Sequence, residues 1–244
     1  MIVERTENPM WLSNAYLVAD PDRRTGVLMG QGTTISGRCW AGLRRSIEIT
    51  HILVTHPHGD HIAGLAEARR QLGSPPLVDP RGDGRARRRG RRARRRRQAR
   101  RRRDRDQALT PGHAAGHLAY LVNGTDLFTA DVLFKGTVGG TMAPGASGFE
   151  DLKASVMRLM ELPPETAVHP GHREATTIGA EWADNPFVRI WRGLDATGEE
   201  EVTVWGRPAT LKLWAPDYDG GNKAWIVFGD SGEEAIVGGS QVEK

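Results

Sequence analysis

The chain of 244 residues holds one cysteine, Cys39. A single thiol excludes an intramolecular disulfide and any metal site built from clustered cysteines, and it suits a reducing compartment. Long apolar runs are missing too. The opening MIVERTENPM has no apolar core of signal-peptide length, and no stretch approaches the ~20 apolar residues of a membrane span. A soluble, cytoplasmic protein is expected. An even spread of charge is also lacking. The totals of 34 basic and 30 acidic residues give +4, yet residues 81–105 alone hold sixteen arginines against Asp83 and Asp104. Outside that segment the chain is net acidic, so an argument for nucleic-acid binding must rest on the segment by itself. No internal repeat is evident.

What remains is a chain long enough for one large domain with an appendage. NAYLVA (14–19) and TGVLM (25–29) flank a polar turn and read as a β-hairpin, whereas residues 30–46 show neither helical nor strand periodicity. ITHILVT (49–55) has the β-branched, apolar character of a buried strand. HIAGLAEARRQLG (61–73) has helical spacing and a closing glycine. AYLVNGTDLFTAD (119–131) reads as strand, NG turn, strand. FEDLKASVMRLMEL (149–162) is an amphipathic helix stopped by Pro163 and Pro164, and 166–172 is a strand running into a loop. Residues 177–191 are helical with a break near Pro186, and the tail offers four short strands. Strands and helices therefore alternate, which is an α/β pattern, with a domain over 1–195 and a β-rich appendage over 196–244.

All eight histidines fall within 51–61, 113–117 and 169–172, where strands stop. THPHGDHIAG (55–64) is the densest stretch. His56 and His58 are two apart beyond an apolar strand, so in extended geometry both imidazoles can face one ion. Asp60 and His61 follow at the turn into a helix and reach a second point, with Gly59 leaving room for the bend. Imidazole and carboxylate are what a borderline ion such as Zn²⁺ accepts. The plainer reading is a capped helix start with exposed histidines. It suits one His or one Asp better than the set. TPGHAAGH (110–117) adds His113 after a Pro-Gly bend, LFTAD (127–131) ends a strand on Asp131, and HPGH (169–172) ends another on His172.

In this order, HxHxDH, TPGHxxGH, a strand ending in Asp, and PGH resemble the metallo-β-lactamase fold superfamily, and within it the glyoxalase II-like hydrolases. The resemblance covers about residues 10–192, apart from 79–108. It implies an αββα sandwich with metals at one edge of the sheets, here followed by the β-rich appendage. It assigns His56, His58 and His113 to a first metal and Asp60, His61 and His172 to a second, with Asp131 bridging. His51, His117 and His169 match no ligand position. His117 reads as a contact behind the ligands or a packing residue, and the other two read as structural.

Two Zn²⁺ ions so held would lower the pKa of a water between them and polarise a substrate carbonyl. The expected reaction is hydrolysis by metal-bound hydroxide, with Asp60 also orienting the water, on an acyl thioester or a related ester or lactone. ADVLFKGTVGGTMAPG (130–145) resembles the loop after the bridging Asp in small glyoxalase II-like proteins, and Lys135 within it is a candidate for an anionic substrate group. Against glutathione as the thiol, the tail carries little positive charge, mainly Arg207, Lys212 and Lys223, where glyoxalase II uses a helical, basic region. A sister branch of the family, the persulfide dioxygenases, keeps one Fe²⁺ on the equivalents of His56, His113 and Asp131, a donor set suited to iron. Metal content separates the two. The tail reads as serving packing, substrate shaping or homodimerisation, with Trp205, Trp214 and Trp225 as core or interface residues and not a ligand platform.

The arginine segment, 79–108 at its widest, admits three readings. As a nucleic-acid arm it would displace many counterions, but it has no aromatic residues for base stacking. As a solvated disordered insert it follows from charge density alone. As an out-of-frame stretch of a GC-rich gene it explains the Arg, Gly and Ala bias and the abrupt ends. The frame error ranks first and nucleic-acid binding last, and it would remove sheet strands that help to pre-organise the ligands.

Overall fold

A computed structural model describes residues 1–30, 46–73, 76–77 and 107–244. Most of the patternless stretch 30–46, with Cys39, and of the arginine segment 79–108 lies outside the described residues. The chain forms two compact units, Met1–Arg91 with Gly171–Arg173, and Arg92–Pro170 with Glu174–Lys244.

In the first unit, β1 (Ile2–Glu7), β2 (Asn14–Asp20), β3 (Thr25–Met29), β4 (Glu48–Leu53) and β5 (Pro76–Leu77) form one sheet in that order. β2 and β3 pair antiparallel, as the hairpin reading requires, while β4 runs parallel to β3 and β5 parallel to β4. The first six residues of β2 are all buried, which suits a near-continuous apolar run inside the sheet. Leu17, Leu28, Ile49 and Ile52 pack with Ala68 of the following helix. That helix is not the single element that its spacing implies. It divides into α1 (Gly59–Ile62) and α2 (Leu65–Leu72), broken at Ala63 and Gly64 and closed by the left-handed Gly73. Ala63 and Gly64 both keep right-handed backbone angles, φ -55° and -85°, so the chain turns between the two helices without entering the left-handed region.

The second unit holds a sheet in the order β12-β11-β8-β7-β6, built from β6 (Gln107–Leu109), β7 (Leu118–Val122), β8 (Asp126–Ala130), the small hairpin β9 (Leu133–Phe134) and β10 (Thr137–Val138) beside it, then β11 (Ala167–Pro170) and β12 (Thr176–Thr177). Asn123 and Gly124 both take positive φ between β7 and β8, the conformation a two-residue Asn-Gly turn needs. Helix α3 (Phe149–Leu159) ends ahead of Pro163, and α4 (Ile178–Asp184) and α5 (Pro186–Trp191) meet at Asn185. The tail's four expected strands are β13 (Glu200–Val204), β14 (Arg207–Pro216), β15 (Asn222–Phe228) and β16 (Glu234–Gly238), and β17 (Val242–Glu243) completes a five-stranded sheet. Ala215, Trp225 and Ile236 of that sheet share one core with Phe149, Leu152 and Val156 of α3 and with Leu127 and Val168 of the preceding sheet. Trp225 is thus a core residue, stacked on Phe149 at 5.1 Å, while Trp205 is exposed.

Candidate metal centre

Each unit gathers its own donors. In the first, β4 delivers the chain into Val54 and Thr55, both buried, and Pro57 fixes the backbone between His56 and His58. The two imidazoles meet edge to face at 4.7 Å between centroids, and His61 lies 4.5 Å from His56. His58 precedes α1 in extended conformation, and its carbonyl accepts the His61 amide at 3.0 Å. The hydroxyl of Ser13 donates to the Asp60 carbonyl at 2.9 Å and ties the turn to the sheet. A Cβ at Gly59 would meet nothing within 4 Å. The bend does not depend on that glycine, contrary to the expectation from sequence.

His172 joins this cluster from far along the chain. It forms a β-bridge with Ser13, and the Asn14 amide donates to the Gly171 carbonyl at 2.6 Å. Its Nδ1 donates to the Trp11 carbonyl at 3.1 Å, and its Nε2 stands 3.3 Å from Asp60 Oδ2. His61 Nε2 is the same 3.3 Å from that oxygen. Two ligand atoms each about 2.0 Å from a tetrahedral ion stand about 3.3 Å apart, so this spacing is compatible with a shared cation. Beside them, burial raises the Tyr16 phenol well above its ordinary value, and its oxygen accepts from Asn14 Nδ2 at 3.0 Å.

In the second unit, β8 ends at Ala130, which takes φ +42°, and turns Asp131 out of the strand. Asp131 is buried, and its amide donates to His117 Nε2 at 3.2 Å. His117 is fully buried and bonds through Nδ1 to the Thr110 hydroxyl at 2.8 Å, so it braces Asp131 from behind. His113 Nε2 lies 3.7 Å from Asp131 Oδ2, and its Nδ1 donates to the Gly140 carbonyl at 2.8 Å. Two glycines make this possible. A Cβ on Gly112, at φ +133°, would stand 2.3 Å from Leu152 Cα, and one on Gly139 would stand 2.0 Å from the Asp131 carbonyl oxygen.

The donor chemistry fits a metal. His113 and His172 commit Nδ1–H to carbonyls, which makes Nε2 the nitrogen that could ligate an ion, and His56 has Nδ1 3.1 Å from the Thr55 hydroxyl. The ligating atoms of Asp60, His61 and His172 all lie within 4.8 Å of one another, as do those of His56 and His58. His169 is bonded to Asp126 at 2.9 Å and stacked on Phe128, and His51 bonds Thr50. Lys135 is exposed on the turn between β9 and β10. Sequence reasoning missed the backbone acceptors at Trp11 and Gly140. The Gly139-Gly140 pair was the one local hint of the second.

Residues 11–108 match the family model described as the metallo-beta-lactamase superfamily. An uncharacterized protein of Mycobacterium tuberculosis is 30% identical over 210 residues, covering 72% of this chain and 92% of that protein. A crystal structure of TTHA1623 in a di-iron-bound form is 30% identical, with a TM-score of 0.58, covering 77% of this chain and all of that one. The chain belongs to the metallo-β-lactamase superfamily. Its fold is the α/β fold of that superfamily, and its His/Asp clusters are metal-binding in character. A hydroxyacylglutathione hydrolase of Rhizobium meliloti is 35% identical over 150 residues, and the chain spans about half of it, 54%. No helix among the described residues is long and apolar enough to cross a membrane.

Proposed function

We propose that the protein is a zinc-dependent hydrolase of acyl thioesters, working on a small-molecule substrate. The observation that carries this reading is the donor set of five imidazoles and two carboxylates, His56, His58, Asp60, His61, His113, Asp131 and His172. On the superfamily pattern, His56, His58 and His113 would hold one ion and Asp60, His61 and His172 the other, with Asp131 available to both. Bound zinc would supply an acidified water and a polarised acyl carbonyl. The chain's own residues do the rest. The Asp60 carboxylate is 27% exposed, against 7% for Asp131, so Asp60 can orient a water while Asp131 acts as a fixed ligand. Water oxygen forms the new C–O bond, the C–S bond breaks, and the leaving thiolate takes up a proton.

Similarity to the hydroxyacylglutathione hydrolase supports a thioester as substrate. The tail argues for a thiol less anionic than glutathione. Arg207 is paired with Asp230 at 2.7 Å, and Lys223 is buried against Asp217 at 2.9 Å, so two of its three candidate anion-binding cations are already engaged. Lys135 stays available on its turn for an anionic group. Iron is the competing metal, since the same donor types suit it and a di-iron-bound relative is known. That favours keeping the persulfide dioxygenase as the second reading.

The deciding experiment is metal content of the purified chain with a thioester assay before and after chelation. Two zinc ions per chain and activity lost on stripping and regained on reloading are expected. One iron per chain with oxygen uptake would establish the dioxygenase instead. Thioester, ester and lactone hydrolysis untouched by chelation would end the hydrolase reading.

A further inference from the structure

We propose that the C-terminal sheet is a positioning element for His113, acting through Thr141. The inference rests on reading His113 as a metal ligand, and it gives the tail a role beyond packing. Strand β16 and the segment after β10 exchange two hydrogen bonds. The Thr141 amide donates to the Ile236 carbonyl at 2.9 Å, and the Ile236 amide donates to the Thr141 hydroxyl at 2.9 Å. Both residues are buried, at 3% and 0% exposure, so neither bond is exchanged for water at little cost. The neighbouring carbonyl, that of Gly140, is the acceptor for His113 Nδ1–H. A turn of that peptide would carry the acceptor away and release the imidazole.

The segment has little freedom on its other flank. A Cβ on Gly139 would stand 3.3 Å from the His113 Cβ as well as 2.0 Å from the Asp131 carbonyl. Backbone therefore passes close to both donors of this unit and is fastened to β16 two residues later, at Thr141. The tail grips the start of the same loop through Tyr218, whose ring lies 4.8 Å from that of the buried Phe134. Lys223 sits 5.5 Å over the Tyr218 ring and pairs with Asp217, which fixes that contact. The loop from Asp131 to Thr141 is thus held at both ends by the appendage. An acceptor that orients a ligating histidine is worth about 10–100-fold in metal affinity, and here its place is set by Thr141.

The test uses the full chain and three substitutions. Thr141→Val keeps the shape and removes the acceptor, Thr141→Ser keeps the acceptor, and Val202→Ala opens the tail's own core without touching Thr141. Zinc affinity is read by competition with a chromophoric chelator, and the His113 ring by ¹⁵N NMR of the metal-free chain. Thr141→Val should bind zinc about 10–100-fold more weakly and lose the Nδ1–H signature of His113. Thr141→Ser should keep wild-type affinity, and Val202→Ala should keep affinity and ring signals while melting earlier. Wild-type affinity and ring signals in Thr141→Val would overturn the inference. So would a Thr141→Ser chain as weak as the valine variant, or a Val202→Ala chain that loses affinity equally. A wild-type chain that takes up no metal overturns the proposed function, and the ¹⁵N comparison then decides the positioning role by itself.

Discussion

The two units present their donors by opposite means. In the first, four of five donors come from six consecutive positions, and the rings of His56, His58 and His61 lie against one another. Local chain geometry does most of the work, and His172 is added by a short β-bridge to Ser13. In the second, His113 and Asp131 stand eighteen positions apart in sequence, and each is held from elsewhere. His117 braces the Asp131 amide, Gly140 accepts from His113, and two glycines admit neighbouring backbone to within distances that a side chain would forbid. A compact motif makes a donor cluster tolerant of its surroundings. A dispersed pair makes one that depends on them.

The largest effect should come from removing a donor of the dispersed pair. Asp131→Ala is expected to leave a folded chain that retains no metal after dialysis and hydrolyses no thioester. That loss exceeds the about 10–100-fold typical of residues behind the ligands. Elemental analysis and circular dichroism check it together. If the variant keeps both metal and rate, Asp131 is not a ligand.

A pair of glycine substitutions sharpens the contrast. Gly139→Ala drives a methyl into the Asp131 carbonyl and should cost about 1–3 kcal/mol or more in urea unfolding, with weakened metal binding. Gly59→Ala meets open space at the start of α1, and replacing a helical glycine there should be neutral or stabilise by up to about 1 kcal/mol. Equal losses at the two positions would erase the distinction between the units. Of intermediate size is His117→Ala, which takes away the acceptor of the Asp131 amide. Metal affinity should fall about 10–100-fold while the first unit's cluster is unaltered. Titration with zinc measures it, and an unchanged affinity would make His117 a packing residue.

The same contrast explains what could be read from the amino acids alone. HxHxDH is legible because i, i+2 and helix-start geometry are local, and the strand ends that carry Asp131 and His172 follow from apolar runs that stop at loops. The hairpins, α3 and the strands of the tail are visible by periodicity for the same reason. The division of 61–73 at Gly64 was not legible, because helical spacing continues across the break and one glycine does not fix where a helix yields. Nor could spacing show that Gly59 is dispensable and Gly139 is not. That depends on which backbone approaches, and the partner of Gly139 is eight residues away across a hairpin. Bonds such as Trp11 to His172 join positions 161 apart and leave no periodic trace.

The smallest predicted effect lies away from both donor groups. Thr177 caps α4, its hydroxyl accepting from the Ala180 amide at 3.2 Å. Loss of an N-cap of this kind costs about 0.5–2 kcal/mol. One turn further on, Glu181 is buried at 3% exposure and accepts from the Gly136 amide at 2.9 Å, from the Thr176 hydroxyl at 2.7 Å and from Asn185 Nδ2 at 2.8 Å. Gly136 adjoins Lys135, so α4 supports the turn that presents the candidate substrate cation. Three bonds on one carboxylate should hold that turn when the cap is gone. Thr177→Ala should therefore lower the unfolding free energy by about that 0.5–2 kcal/mol and leave zinc affinity and KM for an acidic thioester unchanged. A raised KM would show that the turn's support begins at the cap and not at Glu181.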